Sequence, residues 1–213
     1  GDDFEAHASI EVASLLNAFP RVRVLRPDVQ MTGGTVTVDI QSQEQESSRQ
    51  ICFRSELNNV SAIQGGKKIE WHAPWAAWVS ARQLLDGQLY LEEAGLASTF
   101  ADISMNGLSE AIETKWRIDL GRTFQSVSEL LDLQSESKKQ SLSGVSRGQC
   151  RVDRSSEVGS TKISTSLSIE DLNWVIGEQA VWKEHLVAID FDTAWIETQA
   201  EIALKAVDFK FES

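Results

Sequence analysis

Proline is scarce in this chain, 3 residues in 213, so extended segments run on without the break that a missing N–H imposes. Cysteine is confined to Cys52 and Cys150, which excludes a disulfide-rich scaffold; two free thiols are expected rather than one bridge. The three histidines, His7, His72 and His185, are scattered, and none has the spacing of a metal-binding helical pair. No stretch approaches the ~20 apolar residues of a membrane-spanning helix. Basic residues are outnumbered 20 to 32, for a net charge of −12. That balance argues against nucleic acid or an anionic membrane surface as a partner. The first residue is Gly1 and not Met, so a piece of a longer protein is expected, with any signal peptide or anchor outside it.

What is abundant is alternation. Hydrophobic residues make up 41% of the chain, enough to fold, and they recur mostly at every second position. Val36, Val38 and Ile40 oppose Thr35, Thr37 and Asp39; Trp116, Ile118 and Leu120 oppose Lys115, Arg117 and Asp119. Ile163, Thr165, Leu167 and Ile169 stand against a row of serines, and Val187, Ile189 and Phe191 against Asp190 and Asp192. The phase slips at Ala206–Val207 before Phe209 and Phe211, as a β-bulge produces. Gly65–Gly66, Asp86–Gly87 and Gly177 separate such runs and suit tight hairpins. The expectation is a mainly β protein, an antiparallel meander or curled sheet with a few short helices.

Helical patterns are few. Ser9 is placed to cap one ending before Pro20, and Thr123 or Ser126 to cap a second over 124–133. PWAAWVSARQLLDG (74–87) reads as helix by its proline and glycine, but its later counterpart AVWKEHLVAIDFD reads as strand, and strand is preferred for both. The polar tracts 41–50 and 134–144 are either hairpin loops or strand ends reaching into solvent.

The pattern also repeats. A helix-like stretch, a glycine-marked strand and a further strand recur at an offset of roughly 112–115 residues, judged from Leu15 and Leu130, Gly34 and Gly148, Leu57 and Ile169. Two tandem β-rich units are therefore expected, 1–110 and 111–213, sharing one sheet or forming two domains.

Gly144–Gly148 spells G-x-S-x-G, with Asp171 and His185 following in the order of a hydrolase triad. Its surroundings are wrong for a nucleophile elbow: a polar tract precedes it and a strand, not a helix, follows. A turn is the expected role of these glycines, as at Gly33–Gly34. Glu184, His185, Asp190 and Asp192 do not converge on a strand, and Glu92–Glu93 diverge. No catalytic, metal or cofactor residue is therefore assigned. Seven tryptophans against one tyrosine is unusual. Trp71, Trp75 and Trp78 are a candidate aromatic surface, with core filling as the competing role.

The strand KWRIDLG, the helix-like SVSELLDL, then SLSGVSRGQCRVD and TSLSIEDLNWV, repeated earlier as EVASLLNAF, MTGGTVTVDI and RSELNNVSAI, resemble the AsmA/TamB-like superfamily of bacterial envelope proteins. The resemblance implies a β-rich ribbon curled round an apolar groove. It also implies a periplasmic location, an anchor outside this segment, and a non-enzymatic role in phospholipid handling or envelope maintenance. Phospholipid or another apolar ligand is the implied partner. On that reading the groove candidates are Val36, Val38, Ile40, Trp116, Ile118, Leu120, Ile189 and Phe191. The alternative is a secreted β-sandwich module that binds carbohydrate or protein through exposed tryptophans.

Overall fold

The computed structural model describes residues 3–18, 28–71, 74–87, 89–108, 110–130, 140–155, 159–177, 179–196 and 201–212. In chain order the elements are β1 (Phe4–Glu11), α1 (Val12–Ala18), β2 (Val29–Gln45), β3 (Ser48–Gln64), β4 (Lys67–Trp71), β5 (Trp75–Leu84) and β6 (Leu89–Ala97). Then come β7 (Ala101–Leu108), β8 (Ala111–Asp119), α2 (Leu120–Leu130), β9 (Gln140–Ser155), β10 (Ser160–Ile176), β11 (Gln179–Ile196) and β12 (Glu201–Glu212).

All twelve strands belong to one antiparallel sheet, and each pairs with its neighbour in the chain except at β4. β3 is long enough to hold β5 along Ser48–Leu57 and β4 along Val60–Gln64, end to end on the same edge. The hairpins fall where the glycines ask for them, with Gly65, Gly66, Gly87 and Gly177 all at positive φ. β2, β3 and β10 each run 17 residues, or roughly 56 Å, far beyond the usual strand. The tract 41–50 is the end of two such strands around a turn at Glu46–Ser47. Of the tract 134–144, residues 140–144 open β9, and 134–139 lie outside the described residues.

The helices begin elsewhere than expected. Ser9 caps nothing: it is a β1 residue paired with Thr37, and α1 starts at Val12; Pro20 lies outside the described residues. α2 is capped by Asp119, whose Oδ1 accepts the Arg122 N–H at 2.9 Å. Thr123 is already inside the helix, its hydroxyl bonded to the Asp119 carbonyl at 2.7 Å. Leu120 is therefore helical and does not extend the Trp116–Ile118 row. The cap outcompeted the alternation.

The order strand, helix, strand, strand occurs at β1–α1–β2–β3 and again at β8–α2–β9–β10. Both segments carry the same irregularity. Gly34 (φ 127°) lies across from Asn59 (φ 52°), and Gly144 (φ 126°) across from Asp171 (φ 51°). Asn and Asp are the side chains that best tolerate this left-handed geometry. The next residues, Val60 and Leu172, are buried. By conformation Gly34 thus matches Gly144 and not Gly148. None of Gly33, Gly34, Gly144 or Gly148 forms a hairpin turn; all lie inside strands, where they permit a bulge or a close neighbour. The expected slip near Ala206 appears as a register shift opposite Asp192–Thr193.

Among the described residues the strands form one sheet and no sandwich. The chain exposes 14050 Å², against about 9,800 Å² for a compact monomer of its mass. Most apolar side chains are half-buried, and the buried set among the described residues is small, including Val60, Ala62, Phe100, Leu172 and Val187. Phe100 meets Trp75 edge to face at 4.9 Å, and its carbonyl accepts the Asp119 N–H at 2.7 Å, tying the β6–β7 turn to the start of α2.

Candidate functional site

Alternation and register together assign every strand residue to one side of the sheet. Trp116 pairs with Ile103 on β7 and Gly148 on β9; Ile118 pairs with Ala101 and Ser146. Following the pairs outward, the same face receives Leu167 and Ile169, then Val187, Ile189 and Phe191, then Val207, Phe209 and Phe211. In the other direction it receives Leu96, Val79, Phe53 and Leu57, then Val36, Val38 and Ile40, then Ala6, Ala8 and Ile10. Seven of the eight groove candidates, all but Leu120, lie on this single face.

The other face is ionic. His7 Nδ1 meets Asp39 at 2.6 Å, Arg54 meets Glu56 at 2.7 Å, Lys115 meets Glu113 at 3.0 Å and Arg151 meets Asp153 at 2.8 Å, with Arg147 paired to Glu170. The Arg151 guanidinium holds the Asp153 carboxyl below its usual value. A depressed carboxylate stabilises the fold above the unfolded pKa and loses that contribution as pH falls through the folded one. Solvent screening keeps the effect small. One cluster was not foreseen: half-buried Glu92 accepts from Gln50 at 3.2 Å and Ser80 at 3.0 Å and pairs with Arg82. The sequence clue was Glu92 beside Glu93 on a strand, which a bulge separates.

The G-x-S-x-G segment acquires a packing role. Gly148 sits beneath the Trp116 ring, where an added Cβ would lie 2.3 Å from the indole. The Trp116 Nε1–H donates to Ser146 Oγ at 3.3 Å, and Ser146 is 7% exposed. Gly144 makes the bulge. His185 instead binds Asp171 at 2.8 Å, and its strand β11 is not adjacent to β9, which carries Ser146. No labelling of Ser146 by a fluorophosphonate probe is therefore expected, and Ser146→Ala should cost about 1 kcal/mol through the lost indole bond. Stoichiometric labelling in an intact-mass measurement would refute this. Both thiols are free: Cys52 is on the ionic face beside Ser80 at 3.8 Å, and Cys150 is on the apolar face opposite Thr165.

Trp71, Trp75 and Trp78 do not make one surface. Trp75 and Trp78 are three residues apart on a strand, so they point to opposite sides. Trp75 packs on Phe100 of the apolar side, Trp78 lies over Gly95 on the ionic side, and Trp71 is on β4 opposite Val60. The more exposed tryptophans are Trp174, Trp182 and Trp195, at 36%, 39% and 38%. Trp174 and Trp182 face each other across the Gly177 hairpin, a pairing that their placement about that glycine encodes. Trp182 also contacts Phe211, with ring centroids 6.3 Å apart. No protein-family model, curated protein or solved structure matches the chain.

Proposed function

We propose that this chain is a non-enzymatic, lipid-handling module of an AsmA/TamB-like envelope protein, working in the periplasm, and that its apolar sheet face keeps acyl chains out of water. One observation carries the reading: a single face gathers aliphatic and aromatic side chains from β1 to β12, and among the described residues no second layer of strands lies over it. Contiguous exposed apolar surface on this scale marks a binding surface. Each methylene moved onto such a face is worth about 0.8 kcal/mol, so half an acyl chain is held appreciably. The ionic face keeps the other side wet, and the segment resemblance supports the envelope setting.

The test is native mass spectrometry with lipid extraction, together with a photo-crosslinking residue placed at Ile189 or at neighbouring Asp190. Phospholipid should co-purify, and it should crosslink from position 189 and not from 190. Absence of lipid across several preparations, or equal crosslinking from both positions, would count against the proposal.

A further inference from the structure

β12 ends the sheet, and among the described residues no strand pairs with its outer edge. Edges of this kind are ordinarily blunted by charged side chains, by proline or by a cover. Among the described residues this one has no proline and no covering strand, and its charges are of both signs. On one side Phe209 and Phe211 are 61% and 53% exposed, with their rings stacked 6.5 Å apart. On the other side the charge alternates in sign: Asp208, Lys210, Glu212.

We infer that the β12 edge is a self-recognition surface that pairs antiparallel with β12 of a second copy, about a two-fold axis at Phe209. A pairing that keeps apolar with apolar must match residues of like parity, because a one-residue slip would turn one sheet over. Centring on Phe209 sets Phe209 against Phe209, Val207 against Phe211, and Asp208 against Lys210, the last two each occurring twice. Centring on Asp208 or on Lys210 would instead set Asp208 against itself or Lys210 against itself, which is destabilising. Centring on Phe211 gives up about half of the overlap.

The interior of the sheet adds a second reason. Asp208 lies directly opposite Asp190 on β11, and among the described residues no ion pair reaches either of them. Two like charges side by side weaken a strand pair. Lys210 of the second copy, which pairs with Glu212 of its own chain, would continue that row and bring a positive charge beside Asp208. The opposite edge lacks this complementarity: the polar row of β1 holds Glu5 and Glu11 and neither lysine nor arginine. The dimer would join two apolar faces edge to edge, the row Ile189–Phe209 meeting its own copy. The inference rests on the edge chemistry and not on lipid binding.

Sedimentation velocity over a wide concentration range tests it with two single variants. Wild type should show a concentration-dependent dimer. Asp208→Lys and Lys210→Asp should each weaken it by about tenfold or more, because each turns two attractions into repulsions. Mixing these two variants should restore a dimer, a heterodimer by native mass spectrometry, since every facing pair is then opposite in charge. Far-UV circular dichroism establishes that each variant is folded. A wild type monomeric at every concentration would overturn the inference. So would a dimer indifferent to both substitutions, variants that fail to rescue each other, or oligomers that grow without closing, as β12-to-β1 pairing produces.

Discussion

Gly107→Ala is expected to be the most damaging single-methyl change in the protein. Gly107 has φ of 135°, a region that only glycine adopts readily. An added Cβ would lie 2.0 Å from the Ala111 carbonyl oxygen and 2.9 Å from the Ile112 Cα. Both obstacles are backbone of the strand that β7 pairs with, so no rotamer change relieves them. Strain of this backbone kind costs about 1–3 kcal/mol before the overlap is counted, and a loss of about 3 kcal/mol or more is expected. Gly65→Ala is the matched control, with φ of 52° and nothing within 4 Å of the new atom. It should cost about 1–2 kcal/mol, from backbone conformation alone. Urea unfolding followed by circular dichroism measures both. Equal effects at the two glycines would show that the β7–β8 ladder yields freely.

The second large effect concerns ligand, not fold. With Ile189 and Phe191 both changed to Asp, co-purified phospholipid should fall by about tenfold or more, because a carboxylate beneath an acyl chain is desolvated without a partner. The sheet should survive, since both side chains are half-exposed on an uncovered face and strand propensity accounts for only about 1 kcal/mol each. The control is Ser166→Asp on the ionic face, beside Asp190. It adds a single carboxylate on the other side of the sheet, on the neighbouring strand β10, and should leave lipid unchanged. Loss of lipid in the control as well would assign the effect to net charge and remove the apolar face as the cause.

Much of this architecture is legible in the chain because two-residue alternation is a local property. Val36, Val38 and Ile40 declare a shared side without reference to any neighbour, and Gly65–Gly66 declares a hairpin by the φ angles it permits. The misreadings arose where a short-range competitor cut the pattern. Asp119 capped a helix and took Leu120 out of its row. The tryptophans Trp75 and Trp78 look clustered in sequence, yet an odd spacing on a strand divides them. The G-x-S-x-G glycines look like a turn. Their purpose, one for a bulge and one for an indole ring, depends on Asp171 and Trp116, which reach them only through pairing.

The order of residues alone determined that the chain makes long strands, where most of them turn, and which side chains go together on each strand. Those are consequences of backbone geometry acting over a few residues. Only the folded sheet decided that the separate apolar rows fall into one register, that among the described residues no second layer of strands closes over them, and that Phe209 and Phe211 finish on the last strand of the sheet. Register and coverage are relations between strands distant in the chain, set by hydrogen-bond pairing and bulges that no local pattern contains.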